Sequence, residues 1–134
     1  MKVFRSLLWI QGLYILIIAI WPLVHIESFM KVTGYKTDIW LVKTVGALGI
    51  PVGLTLLSYL FIRTDCRPAF VLGALTALAF AFVDFYYPLR DVISDIYIVD
   101  GWVQVLFLLT WSYIFIREYH KFKAPSPTAF IHTE

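Results

Sequence analysis

The stretch TDIWLVKTVGALGIPVGLTLLSYLFI, residues 37–62, decides the fold of this chain. It is long and apolar enough to cross a bilayer, whose hydrocarbon core takes about 20 helical residues. Lys43 lies about one turn inside the apolar run, where a charge is costly. Gly46, Gly49 and Gly53 fall on one helical stripe beside it, and small residues let helix backbones approach closely in lipid. The pattern predicts a membrane helix whose glycine stripe and Lys43 face a neighbouring helix.

The composition extends this prediction to the whole chain. Of the 134 residues, 60% are hydrophobic and 15% are charged, whereas soluble domains have about 45–50% and about 25%. The apolar residues form four blocks, which predicts an all-α polytopic membrane protein with four transmembrane helices in an antiparallel up-down bundle. The predicted spans are residues 7–24, 39–62, 68–86 and 98–116. They form one domain, residues 1–123, and residues 124–134 are expected to be a disordered tail.

Several classes of protein are disfavoured by the same residues. Cys66 is the one cysteine, so an internal disulfide and a multi-cysteine metal site are excluded. A net charge of +2 without a basic stripe argues against nucleic-acid binding. The first span follows Lys2 and Arg5 as a signal peptide would, but it has no A-x-A cleavage pattern and contains Gln11, so a retained helix is expected. No cofactor is expected.

The Lys and Arg residues of the short connections predict the orientation. Seven lie at the end that carries both termini: Lys2, Arg5, Arg63, Arg67, Arg117, Lys121 and Lys123. Three lie at the other end: Lys31, Lys36 and Arg90. Both termini are therefore expected to be cytoplasmic, in a bacterial inner membrane. The outer end collects His25 and the carboxylates Glu27, Asp38, Asp84, Asp91, Asp95 and Asp100.

The very short connection at residues 63–67 predicts a tight antiparallel hairpin of the second and third spans. On the third span, a small-residue face recurs every four residues and ends at Asp84. Because Lys43 and Asp84 both lie near the outer boundary, we expect a direct or water-bridged ion pair. Three interpretations stay open: a pair that fixes helix register, a Lys43 that extends separately to the interface, or part of a ligand or proton site.

Other polar side chains extend the candidate pocket. His25 and Glu27 flank the outer end of the first span, and Asp100 and Gln104 share a face at the start of the fourth. The candidate polar pocket therefore comprises Lys43, Asp84, His25, Glu27, Asp100 and Gln104. His25 and Glu27 have an ordinary interfacial role as their alternative, and no i, i+4 pair supplies a ready metal site. No catalytic constellation is present. Asp91 and Asp95 fit a solvated face or a cation site, and Tyr97 and Trp102 fit an interfacial aromatic belt.

The stretch FMKVTGYKTDIWLVKTVGALGI, residues 29–50, resembles small bacterial membrane proteins grouped around the DoxX-like families. The chain also resembles, more loosely, the four-helix sterol-isomerase and sigma-2-receptor group. That resemblance implies cytoplasmic termini and carboxylates that line an intramembrane pocket, with Glu27 and Asp84 as the nearest equivalents. The chain departs from that group in its very short second turn and in Lys43 beside the site.

Two functions follow from these features. The first is a non-enzymatic membrane protein that binds a lipid, quinone or other apolar small molecule, or that is an accessory subunit of a larger membrane complex or a homo-oligomer. The alternative is an isomerase-like membrane enzyme with Asp84 or Glu27 as its proton-transfer group. A carboxylate beside Lys43 would stay ionised and act as a base. A transporter is disfavoured, because the charges lie at one end and not near the midplane.

Overall fold

The computed structural model describes residues 2–62 and 65–122. In these ranges the chain forms five α-helices and a 3-10 turn: α1 (Lys2–Val24), α2 (Ile26–Thr33), α3 (Ile39–Ser58), α4 (Arg67–Tyr86), the turn Pro88–Arg90, and α5 (Ile96–Phe122). Helices α1, α3, α4 and α5 are each long and apolar enough to cross a membrane. The predicted all-α class with four spans is confirmed. The predicted tail, residues 124–134, lies outside the described residues.

The helix ends differ from the predicted spans where local bonding outweighs hydropathy. Helix α1 begins at Lys2 and not at residue 7, so the basic start of the chain is already helical. Helix α3 ends at Ser58, because the amides of Leu60 and Phe61 bond at 3.0 Å to the carbonyls of Leu57 and Ser58 and tighten the chain into a turn. Helix α5 spans Ile96–Phe122 and so continues beyond the predicted end at residue 116.

The glycine stripe of α3 packs against α1. A Cβ atom added to Gly46 would lie 2.6 Å from the carbonyl oxygen of Ala19, and one added to Gly53 would lie 2.7 Å from Cγ of Leu16. A Cβ atom added to Gly12 of α1 would lie 2.8 Å from Cγ of Leu57 on α3. Small residues lie on both contact surfaces, so the two backbones approach closely. The predicted tight hairpin of the second and third spans is wrong, because α3 packs mainly on α1 and α4 mainly on α5.

The face of α4 that carries Gly73, Ala77, Ala81 and Asp84 is buried, as its four-residue spacing predicts. At Gly73 this face meets Trp111 of α5, whose side chain is only 1% exposed. A Cβ atom on Gly73 would lie 2.4 Å from Cζ2 of this indole. The missing side chain at Gly73 is therefore what admits the large ring between the two helices.

Gln11 joins the α1–α3 pair to the α4–α5 pair. Its Nε2 donates to the carbonyl oxygen of Gly73 at 2.9 Å, and its Oε1 accepts from Nε1 of Trp111 at 2.7 Å. The side chain is completely buried. Both ends of the amide are therefore satisfied by protein groups at a depth where water is not available.

Helix α2 lies over the end of the bundle where α1 ends and α3 begins, hereafter the far end. Its amphipathic pattern buries Phe29, whose ring meets Trp21 edge to face with centroids 5.6 Å apart. The indole N–H of Trp21 also donates to the hydroxyl oxygen of Ser28 at 2.7 Å. These contacts hold α2 against α1, and it also touches α5.

The Gly73–Trp111 contact predicts the effect of one added methyl group. The substitution Gly73→Ala should destabilise the bundle by about 1–3 kcal/mol, the usual effect of overpacking a tight core. Thermal unfolding in detergent, followed by tryptophan fluorescence, measures it. Ala79→Val adds volume to the exposed side of the same helix and serves as the matched control. Equal midpoints for the two variants would show that the close contact is not needed.

Candidate functional site

Polar side chains from three helices meet in the half of the bundle nearest the far end. We call Tyr14, Asp84, Asp100 and Gln104 the polar cluster. The hydroxyl of Tyr14 donates to Oδ1 of Asp100, and Nε2 of Gln104 donates to the same oxygen at 3.2 Å. The predicted shared face of Asp100 and Gln104 is thus confirmed, as expected for residues four apart on a helix. Asp100 is therefore the common acceptor for one hydrogen-bond donor from α1 and one from α5.

Asp84 brings a second carboxyl group to the polar cluster. It ends the small-residue face of α4, is only 2% exposed, and lies beside the carboxyl group of Asp100. Within the described residues, Oδ2 of Asp84 and Oε1 of Gln104 are buried and have no hydrogen-bond partner. A buried acceptor without a partner costs roughly 1–3 kcal/mol. These two oxygen atoms are therefore the feature of the site that most needs an explanation.

Two clefts reach the polar cluster. The central cleft, about 50 Å³, lies between the four long helices, where Gly46 and Gly49 leave room next to Tyr14, Asp100 and Gln104. The side cleft, about 210 Å³, lies between α1, α2 and α5. Its walls are mostly apolar and include Trp21, Phe29, Val32, Val99 and Val103. Tyr14 and Asp100 line both clefts, so their hydrogen bond lies where the two clefts adjoin.

A cationic side chain stands at the edge of the side cleft. Nζ of Lys36 donates to the carbonyl oxygen of Thr33 at 2.8 Å and lies 4.9 Å from the centroid of the Tyr97 ring. Burial lowers the pKa of Lys36. Tyr97 itself lines the side cleft and is close enough to Asp84 and Asp100 to feel their charge. Lys36 forms no ion pair with either carboxylate in the part of the chain that the structure describes.

Lys43 stands apart from the polar cluster. Its side chain is exposed, and across residues 2–62 and 65–122 it has no ion pair with Asp84. The direct form of the predicted Lys43–Asp84 pair is therefore wrong. The reason is the partner of α3: its glycine stripe faces α1 and not α4, and Lys43 on the rim of that stripe is exposed. Asp84 has Asp100 as its neighbour and not an ammonium group.

His25 and Glu27 are not brought to the cluster either. Nδ1 of His25 accepts from the backbone N–H of Ser28 at 3.1 Å, so this imidazole caps α2. The side chains of His25 and Glu27 are both exposed. In the described segments, no group of three or more His, Cys, Asp or Glu side chains is placed to hold a metal ion. Asp91 has a left-handed backbone, with φ of 56°, at the end of the 3-10 turn, and therefore has a structural role there.

Sequence reasoning missed two members of this region. Tyr14 lies three residues after Gln11 and shares its face of α1, which was the available signal. Tyr97 was assigned to an aromatic belt, and its place in the lining of the side cleft was not predicted. Trp102, assigned to the same belt, is 62% exposed.

The arrangement has a defined chemical capacity. Two adjacent carboxyl groups in apolar surroundings do not readily ionise together, because mutual repulsion adds to the loss of hydration. The pair is stable when a proton or a donor group from a ligand lies between or beside the two side chains. The site can therefore accept hydrogen bonds or exchange a proton, and its apolar walls suit an apolar molecule.

The separation of Lys43 from Asp84 predicts that the two side chains act independently. Lys43→Met should change the free energy of unfolding by less than about 0.5 kcal/mol. Its effect should add to that of Asp84→Asn within about 0.5 kcal/mol. Chemical unfolding in mixed micelles measures all four proteins of this cycle. Tyr14→Phe with Asp100→Asn gives a control cycle, in which a coupling near 1 kcal/mol is expected. If Lys43→Met offset the loss of stability caused by Asp84→Asn, the result would support the ion pair that the sequence predicts.

Comparison with known proteins adds no relative. No family model, no curated protein and no solved structure matches the chain. The resemblances to the DoxX-like families and to the sterol-isomerase group stay predictions. What the chain is shown to be is a small all-helical protein with four helices, among the described residues, that could cross a membrane.

Proposed function

We propose that this protein binds an apolar small molecule through a hydrogen-bonding head group at the polar cluster. The chain would lie in a bacterial inner membrane with both termini in the cytoplasm. Lys2, Arg5, Arg67 and Arg117 support that orientation, because they lie at the end opposite the polar cluster. The protein would act by binding and would need no cofactor of its own.

One observation carries this proposal: within the described residues, two buried acceptor atoms of the polar cluster have no hydrogen-bond partner, and one of them belongs to Gln104, which lines the central cleft. Oδ2 of Asp84 and Oε1 of Gln104 are both hidden from solvent within the described bundle. Buried polar atoms are normally paired, and functional sites are where exceptions concentrate. A ligand that supplies donors to these oxygens would satisfy both atoms at once.

The unpaired atoms define the chemistry of the head group. Oε1 of Gln104 is an acceptor in every state, and Oδ2 of Asp84 is an acceptor when that carboxyl group is ionised, so the ligand needs at least one N–H or O–H donor. A quinol, an alcohol or an amine has such donors, whereas an oxidised quinone offers acceptors only. The Tyr14 hydroxyl and the Gln104 amide already donate to Oδ1 of Asp100, which fixes that carboxyl group in place before a ligand arrives.

The size of the clefts limits how much of the ligand enters. Pockets that enclose a drug-sized ligand measure about 300–1,000 Å³. The central and side clefts are about 50 Å³ and about 210 Å³. We therefore expect the head group to enter while the apolar body lies along α2 and α5 or extends into lipid. Exposed apolar side chains such as Val32 and Val99 would meet that body.

The carboxyl pair favours a second candidate function, an isomerase-like enzyme. Asp84 and Asp100 lie side by side, so one could receive a proton from a bound substrate while the other returns it at a different carbon. Such chemistry would use the same site and the same class of apolar substrate. It differs from simple binding because the recovered molecule would be a mixture of two isomers.

The proposal predicts a molecule that purifies with the protein. Mass spectrometry of the protein isolated in mild detergent should find one apolar compound, near one per chain, with an O–H or N–H head group. Asp84→Asn should reduce its recovery about tenfold or more, because a hydrogen bond to a charged group contributes roughly 1.5–3 kcal/mol. Asp100→Asn should reduce it similarly, because it changes the carboxyl group beside Asp84 that Tyr14 and Gln104 hold. Tyr14→Phe should weaken recovery less, since it removes one donor to Asp100 and leaves the carboxyl group in place.

Asp95→Asn is the matched control, because Asp95 is an exposed carboxylate at the same end of the bundle. It should leave recovery unchanged, and the unfolding midpoint of each variant shows whether the bundle is intact. Equal recovery in Asp100→Asn and Asp95→Asn would contradict the proposed site. Recovery of a protein partner without any small molecule would favour the accessory-subunit role instead.

A further inference from the structure

A groove at the opposite end of the bundle has a different chemistry from the polar cluster. It lies where α1 begins and α5 approaches its end, and its volume is about 260 Å³. We call it the basic groove; its lining includes Lys2, Phe4, Tyr113, Ile114, Arg117 and Glu118. Nothing in the proposed function uses these residues, and the groove is separated from Asp84 by most of the membrane-spanning length.

The floor of the groove is apolar and its rim is cationic. Phe4 and Ile114 are 5% and 4% exposed and form part of the packed core. Lys2 and Arg117 are exposed at the edge. This combination fits a molecule with an anionic head and an apolar body. A small soluble anion would gain nothing from the apolar floor.

Arg117 is held in position for such a head. Nη1 of Arg117 donates to the hydroxyl oxygen of Tyr113, and its guanidinium carbon lies 5.8 Å from the centroid of that ring. A guanidinium group has five N–H donors in a planar fork that matches phosphate oxygens. The contact with Tyr113 engages one nitrogen and leaves other donors of the fork for a ligand.

The surrounding charge also favours an anion. Among the side chains that the structure describes at this end, which exclude those of residues 119–122, four are cationic (Lys2, Arg5, Arg67 and Arg117) and two are carboxylates (Asp65 and Glu118). Asp65 already faces Arg67 at 3.6 Å, so it does not oppose an anion in the groove. Glu118 is the one carboxylate in the lining, and its side chain has an interaction of its own.

We propose that the basic groove binds the phosphodiester head of an anionic phospholipid. The groove lies at the end of two membrane-spanning helices, where lipid head groups are found, and basic pockets between such helices are suited to them. Arg117 and Lys2 meet the phosphate, and the apolar floor meets the glycerol and the first part of the acyl chains. The site does not depend on the ligand proposed for the polar cluster.

The test uses the full chain in nanodiscs or micelles, with phosphatidylglycerol and phosphatidylcholine of the same acyl chains as probes. Native mass spectrometry should show phosphatidylglycerol bound about fivefold or more tightly than phosphatidylcholine. Arg117→Gln should remove most of this preference, and Lys2→Gln should reduce it. Glu118→Gln should increase it, a gain that damage to the fold would not produce.

Arg90→Gln is the matched control, because Arg90 also lies over a tyrosine, 4.9 Å from the Tyr86 ring centroid, but at the far end. The Arg90→Gln variant should keep the full preference for phosphatidylglycerol over phosphatidylcholine. Equal binding of the two lipids would overturn the proposal, as would equal losses in Arg117→Gln and Arg90→Gln. Thermal stabilisation by inorganic phosphate equal to that by phosphatidylglycerol would show a simple anion site and would also overturn it.

Discussion

The buried amide of Gln11 is the contact on which the arrangement of the four long helices depends. Helices α1 and α3 approach through glycine and alanine, and α4 and α5 approach where Trp111 lies over Gly73. Neither surface by itself fixes how one pair lies against the other, because apolar packing in a membrane has little directional preference. The Gln11 amide supplies that direction by bonding to a carbonyl of α4 and to an indole of α5. If Gln11 were apolar, the indole N–H of Trp111 would be buried without its acceptor.

In the polar cluster, unlike at Gln11, the hydrogen bonds of the buried polar side chains are incomplete. Gln11 and Gln104 are both almost fully buried amides. Gln11 uses both ends of its side chain, whereas the oxygen of Gln104 has no partner among the described residues. Structural polar groups in a membrane are expected to resemble Gln11, since each unpaired atom lowers stability. Because Gln104 lines the central cleft and Asp84 belongs to the same polar cluster, a ligand site explains the unpaired atoms better than a role in packing.

The sequence predicted the surfaces of the helices better than it predicted their neighbours. The spacing of Gly46, Gly49 and Gly53 correctly indicated a close helix contact, and the face of α4 that ends at Asp84 is buried as expected. A helical period gives the direction of a side chain around its own axis but does not say which helix lies there. The short connection between α3 and α4 favoured the wrong partner, and the expected Lys43–Asp84 contact failed with it. Tyr14 was missed because an aromatic residue in an apolar span usually signals packing or a belt.

The position of the Tyr14–Asp100 bond bears on how a ligand would reach the carboxyl pair. This bond lies where the central cleft adjoins the side cleft, because Tyr14 and Asp100 line both. A head group that enters from the side cleft first meets Tyr97 and Lys36 at the edge, and then the oxygen that Tyr14 and Gln104 already hold. It can then reach Gln104, which lines the central cleft, by replacing the Tyr14 hydroxyl with its own donor. Replacement keeps the number of bonds to Asp100 unchanged and also satisfies a buried atom. A donor head group therefore has a favourable route inward that an acceptor-only molecule lacks.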